Sequence, residues 1–434
     1  MEIYVVQPGD TIEMIAARFE VSVISLIQYN ELDSPYNLVP GQTIVIAHPR
    51  LTYTVREGDT LSDISIIFGV SIVQLLRNNP FLTQRDQLFS GETLVISYNI
   101  EGEITTNGFA YPYINQETLI KTLPSLTYLN IFNYRATAQG EISSYYDDTD
   151  IINIAKEYGT APIMMVTTLT TLGEPDLEAA YENLMNEIYQ QNIVNNSLEI
   201  VRRKGFMGLN LVFTYVNNTN RPLYENLTRK FIARFQEEGY LFFITINLSQ
   251  DYLESDISYS QIDYSGLSLT SESIMFTNLI WGINYGPPVP VTSISALQEF
   301  IEFAITIIAP ERIVIGIPVL GYDWQIPYEA GRSEANSITV NSALSLAREV
   351  GAAIEFEQVS QTPYFMYNQY IVNVPILHLV RFVDARTIDA LGNLISQYHL
   401  NGIGIWNIMT YYAQLWLVIN SQYNIIKILP DQLD

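Results

Sequence analysis

Three histidines, no cysteine and 46 acidic side chains narrow the chemistry open to this 434-residue chain. His48, His378 and His399 are too few and too scattered for a histidine metal site or a Ser-His-Asp triad. Without cysteine there is no disulfide, thiolate metal site or cysteine nucleophile. Carboxylates remain, as acids, bases or charge stabilisers. The pattern calls for no cofactor and no metal: the run Asp147-Asp148-Thr149-Asp150 lacks the Gly and terminal Glu of a calcium loop and reads as a solvated helix start. Only 21 basic residues leave a formal net charge of −25. That balance argues against nucleic acid and anionic membranes as partners, because phosphate binding needs clustered Lys and Arg. The start, Met1 to Asp10, shows no basic segment followed by an apolar one, so no signal peptide is expected. No uninterrupted apolar run reaches the roughly 18 residues of a membrane span.

The elements that would position reactive groups show first as a repeat. Tyr4-Val5-Val6-Gln7-Pro8-Gly9-Asp10-Thr11 returns as Tyr53-Thr54-Val55-Arg56-Glu57-Gly58-Asp59-Thr60. Pro40-Gly41-Gln42-Thr43-Ile44-Val45-Ile46 returns as Ser90-Gly91-Glu92-Thr93-Leu94-Val95-Ile96, and Asn30 matches Asn79. Each unit reads strand, helix, helix, strand. Asp10-Thr11 and Asp59-Thr60 stand where a helix cap is wanted, and Ile12, Ile15, Ala16 and Phe19 make an apolar stripe. The two units, residues 1–49 and 50–98, resemble LysM modules, which bind N-acetylglucosamine-containing glycans such as peptidoglycan and chitin. The resemblance implies a sugar groove between the Gly-Asp-Thr turn and the loop before the last strand. The first groove would use Gly9, Asp10, Thr11, Asn30 and Pro40; the second would use Gly58, Asp59, Thr60, Asn79 and Gly91. Helix capping is the competing account of the Asp and Thr. Two modules engaging one glycan would gain avidity.

From about residue 103 apolar strands alternate with longer helical stretches. Strands are predicted at 127–132, 161–166, 208–213, 242–247, 273–279, 313–318 and 402–406, and helices at 224–238 and 294–309. Turn-rich stretches at 140–150 and 215–222 are expected as loops. Such alternation through residues 103–434 predicts an α/β fold, a (β/α)8 TIM barrel preceded by the two small βααβ modules. This part resembles glycoside hydrolase family 18, in its branch of spore-cortex N-acetylglucosaminidases. The resemblance rests on Gly108-Phe109-Ala110-Tyr111-Pro112, Gly286-Pro287-Pro288, Gly321-Tyr322-Asp323-Trp324, Phe382-Val383-Asp384-Ala385-Arg386 and Gly402-Ile403-Gly404-Ile405-Trp406.

The resemblance implies hydrolysis with no protein nucleophile: the substrate's own acetamido oxygen attacks, an Asp orients it, and a Glu two residues later protonates the leaving oxygen. In Gly208-Leu209-Asn210-Leu211-Val212-Phe213-Thr214-Tyr215-Val216 those places hold Val212 and Thr214. Val offers no hydrogen bond or charge, and a Thr hydroxyl cannot deliver a proton at neutral pH. Leu279, Ile280 and Val383 likewise stand where the family has polar or acidic groups. Trp281, Trp406 and Asp384 remain as candidates for a barrel pocket, with Trp324 and Asp323 on the matching motifs; the competing accounts are a barrel-core aromatic for Trp406, and for Asp384 a pair with Arg386 or Arg381 or a helix cap. The expectation is therefore a catalytically inactive, glycan-binding structural protein of the spore envelope, with self-assembly or other envelope proteins as further partners. The resemblance places it in the coat or exosporium of a Gram-positive spore former, made in the mother cell. The alternative is an active peptidoglycan N-acetylglucosaminidase using other carboxylates.

Overall fold

Short-range signals build the two N-terminal modules. The computed structural model describes residues 1–433 except 86, 170–175, 215, 253–256, 269–271, 278–285 and 373. In the first module strand Glu2–Val5 pairs antiparallel with Thr43–Ile46, with helices Ile12–Arg18 and Val23–Asn30 between them in sequence. In the second, Pro49–Thr54 pairs with Thr93–Tyr98 around helices Leu61–Phe68 and Ile72–Asn78. All four helices start on a hydroxyl: Thr11, Ser22, Thr60 and Ser71 each accept an N–H of the first turn. Such a cap contributes about 1 kcal/mol. The apolar stripes close over Ile12, Ile15, Leu26, Ile44 and Ile46 in one module and Ile64, Leu75, Leu82, Leu94 and Ile96 in the other.

Eight parallel strands among the described residues close the barrel: Gly102–Ala110, Tyr128–Ala136, Ala161–Thr167, Gly208–Phe213, Leu241–Asn247, Ile274–Thr277, Ile313–Pro318 and Gly402–Trp406. The last pairs back to the first. The predicted strands 208–213, 313–318 and 402–406 coincide with the observed ones residue for residue. The first barrel strand was not among the predicted ones, because its Glu103-Ile104-Thr105-Thr106-Asn107 start looks polar. Those polar groups are buried because they find partners; the Thr106 hydroxyl donates to the Ser125 carbonyl oxygen at 2.6 Å.

Two expectations are corrected. The stretch 140–150 is not all loop: strand Ile142–Ser144 pairs antiparallel with the end of Tyr128–Ala136, and helix Thr149–Glu157 follows. Nor is the acidic helix start fully solvated. Asp148 is buried, accepting from the Tyr134 hydroxyl at 2.5 Å and pairing with Lys204 at 2.7 Å.

Two features were not foreseen. Between the seventh and eighth barrel strands the chain adds a five-stranded antiparallel sheet and the helix Val340–Val350. Its main strands are Gly321–Ile326, Thr362–Ile371 and Val374–Arg381. The final helix, Ala413–Gln422, is buried at every residue. Helices normally keep one polar face in water. Here Gln414 and Asn420 point in different directions from the helix, and each meets one module: Gln414 bonds to Asn30 and Thr43, and Asn420 reaches the Arg77 carbonyl oxygen. Among the described residues no single helix is long and apolar enough to cross a membrane.

Candidate functional site

Strand alternation turns Asn210, Val212 and Thr214 toward one side of the fourth barrel strand. Asn210 is buried in a polar chain: its side-chain N–H donates to Asn130 Oδ1 at 2.8 Å, and its Oδ1 accepts from the Thr245 hydroxyl at 2.9 Å. Val212 joins an apolar cluster with Phe109, Phe132, Met165, Leu169, Met275, Val314 and Trp406. Gly404 permits this packing, since a Cβ there would lie 2.6 Å from Met275 Sδ. Thr214 is half-buried, and its Oγ1 has no hydrogen-bond partner among the described residues. Val212 and Thr214 also border a small, mostly apolar cleft with Thr167, Phe213, Tyr224 and Leu227.

Trp406 is 3% exposed and sits edge-on to Phe109 at 5.5 Å. Aromatic rings continue outward from it: Tyr111 lies 6.5 Å from Trp406, Tyr113 stacks on Tyr111 at 5.2 Å, and Tyr146 meets Tyr113 at 5.1 Å. Burial pushes the Tyr111 phenol above its ordinary pKa, so it acts as a hydroxyl throughout the physiological range. This tyrosine series was missed in the sequence, because Tyr146 comes from a different loop. Trp281, Leu279 and Ile280 lie outside the described residues. Trp324 is buried beside Tyr322 and donates to the Gly286 carbonyl oxygen at 3.2 Å, which leaves it no open face for a sugar.

The two carboxylates of the matching motifs have different surroundings. Asp384 caps the helix Ala385–Gln397 through the Arg386 N–H and pairs with the Arg386 guanidinium at 2.6 Å. Arg386 in turn reaches the Gly41 carbonyl oxygen. Asp384 thus belongs to the junction with the first module, and its candidacy for the barrel pocket is corrected on that ground. Asp323 lies in the added sheet, where one oxygen accepts from the Tyr367 hydroxyl at 2.8 Å and the other contacts His378 Nδ1 at 2.8 Å. His378 is 7% exposed, and its Nε2 has no hydrogen-bond partner among the described residues.

In the modules the turn residues serve the fold first. Thr11 and Thr60 cap their helices, while the Asp10 and Asp59 carboxylates close the turns by accepting from the Tyr4 and Tyr53 hydroxyls, each at 2.6 Å. Gly9, Gly58 and Gly91 are exposed at φ near +90°, where a side chain would be strained. Asn30 and Asn79 are corrected as groove residues. Both are buried, and each holds its module's last strand by a pair of bonds, Asn30 to the N–H and carbonyl of Val45 and Asn79 to those of Val95. An amide matches a strand's donor and acceptor at once, which accounts for Asn in both copies. Pro40 is tied to the segment after the helix Val340–Val350: its carbonyl accepts from the Ile354 N–H at 2.8 Å.

The chain belongs to the Glycosyl hydrolases family 18, whose profile matches residues 104–410, and carries two LysM domains, matched at residues 4–47 and 53–97. It is 31% identical over 433 residues to the cortical fragment-lytic enzyme of Bacillus subtilis (strain 168), covering 98% of this chain and 99% of that one. The Bacillus anthracis cortical fragment-lytic enzyme is 24% identical over 70% of each chain. Among solved structures it resembles the spore cortex-lytic enzyme SleL of Bacillus megaterium QM B1551, with a TM-score of 0.78, 26% identity and coverage of 98% and 99% of the two chains. These likenesses overturn the expectation of an inactive structural protein: relatives that match from end to end are named as lytic enzymes.

Proposed function

We propose that the chain is a glycoside hydrolase of spore peptidoglycan, cleaving beside N-acetylglucosamine, with its LysM modules holding the glycan. The observation that carries this reading is the end-to-end likeness to a cortical fragment-lytic enzyme, 31% identical across both modules and the barrel. The aromatic series from Trp406 to Tyr146 supports it, since sugar rings pack on aromatic faces while their hydroxyls seek phenols. The proton for the leaving oxygen comes from a carboxylate other than positions 212 and 214. Asp323 is our assignment: it is the carboxylate of the Gly321-Tyr322-Asp323-Trp324 motif, set 2.8 Å from His378 Nδ1, and His378 Nε2 has no hydrogen-bond partner among the described residues. In the spore the layer we assign is the coat or exosporium, checked by fractionating spores and blotting for the chain.

The test is release of reducing ends from purified cortex peptidoglycan and its soluble fragments. Turnover is expected, and an Asp323→Asn variant that keeps its fold should lose it by a factor of about 10² or more. A well-folded parent chain that releases no reducing ends overturns the proposal.

A further inference from the structure

The two LysM copies can be compared position by position. Their Gly-Asp-Thr turns are alike: Gly9 and Gly58 are both exposed, and a Cβ on either would meet nothing within 4 Å. The opposite wall, the loop before the last strand, is held the same way in both. Gly41 and Gly91 donate their N–H groups to the carbonyl oxygens of Val6 and Val55, each at 2.8 Å.

Beyond that the walls diverge. In the first module the wall is built into the added sheet and helix of the barrel. A Cβ on Gly41 would lie 1.9 Å from the Ile354 carbonyl oxygen, and Arg348 Nε donates to the Asn37 carbonyl oxygen at 3.0 Å. Val39 is 3% exposed and belongs to the barrel's own core cluster. In the second module a Cβ on Gly91 would meet nothing within 4 Å. The residue that matches Val39 is Phe89, and it is 59% exposed.

Phe89 is also held in place. The Arg85 guanidinium lies 4.6 Å from its ring centroid and 5.5 Å from that of Phe81, and it pairs with Glu92. An aromatic ring fixed at the rim of an open groove costs little entropy when a ligand stacks on it. The same position filled by a buried Val cannot do this.

We propose that the second module alone carries the open glycan groove, with Phe89 as its stacking platform, while the first module's equivalent wall is a structural joint to the barrel. The inference rests on the reading of the modules as holders of N-acetylglucosamine-containing glycan. A sugar ring covers Phe89 and lies between it and the turn Gly58-Asp59-Thr60.

The test is sedimentation of the full-length chain with purified peptidoglycan sacculi in the cold, so that binding is read without turnover. Hydrolysis of soluble fragments is measured separately, which keeps a failure of the catalytic reading apart from a failure of this one. Phe89→Ala should weaken binding about tenfold. Phe89→Tyr should restore it, and the melting temperature should stay at the parent value because the ring is exposed. Tyr36, the exposed aromatic of the first module's loop, is the comparison, and Tyr36→Ala should bind as the parent does. Unchanged binding by Phe89→Ala, an equal loss in Tyr36→Ala, or a parent that does not sediment overturns the proposal.

Discussion

Thr43 and Gln414, 371 positions apart, hold each other twice. The Thr43 hydroxyl donates to Gln414 Oε1 at 2.8 Å, and Gln414 Nε2 donates to the Thr43 carbonyl oxygen at 2.7 Å. The same Nε2 reaches Asn30 Oδ1 at 3.1 Å, and the Tyr412 hydroxyl completes the group at 3.0 Å. All of these residues are buried, so the first module and the last helix share one polar network.

Gln414→Leu should leave the Thr43 hydroxyl and one face of Asn30 without partners. A loss of about 1–3 kcal/mol is expected. Calorimetry should show the whole chain melting earlier in one transition, because module and barrel unfold together. A separate early transition for residues 1–49 would contradict this.

Asn79→Ala should remove the paired bonds to Val95 and leave that strand's amide and carbonyl unmet, again at about 1–3 kcal/mol per buried group. Hydrogen exchange should speed up over Thr93–Tyr98. Glycan affinity measured well below the melting temperature should not change, since the side chain never reaches the surface.

Val212→Asp should fail to yield a well-folded chain. The new charge would sit among Phe109, Phe132, Met165, Met275 and Trp406 with no partner, at a cost of several kcal/mol. Thr214→Val has the opposite sign. Its buried hydroxyl has no partner to lose among the described residues, so the variant should melt at the parent temperature or above it, and hydrolysis should persist.

Acid should loosen the second module at its turn. The Tyr53 hydroxyl, and then the Arg56 N–H, hold the Asp59 carboxyl below its ordinary value of 3.8. A depressed pKa in the folded state contributes stability above the unfolded value, lost as pH falls through the folded one. Asp59→Asn should therefore lower the melting temperature at neutral pH, and the gap to the parent should close below about pH 3.8. A constant gap down to pH 2 would show that charge plays no part.

The sequence made the modules legible because their signals are local: a repeated Gly-Asp-Thr, a cap and an apolar stripe. The barrel strands Gly208–Phe213, Ile313–Pro318 and Gly402–Trp406 were legible as short apolar runs bounded by Gly or Pro. Other features depend on contacts made far along the chain. Asn30 and Asn79 look like exposed groove residues until the last strand closes on them. Asp384 reads as a partner of Arg386 or a helix cap as well as a pocket carboxylate, and it proves to be both cap and partner, with Arg386 carried on to Gly41. The sheet from Gly321 to Arg381 hides because its strands mix polar and apolar residues, as sheets with one wet face do. The step from Val212 and Thr214, which carry no carboxylate, to no activity did not survive comparison with end-to-end relatives.

The buried last helix, Ala413–Gln422, bears on how the protein can be taken apart. Cutting away residues 1–98 would strip the cover from Trp416 and Leu417, which line one pocket with Tyr29, Asn78 and Tyr98, and would leave an apolar patch that invites aggregation. The modules are thus a lid on the barrel's own interior, not a detachable tether. A glycan strand held at Phe89, as proposed, would meet the barrel from one fixed bearing.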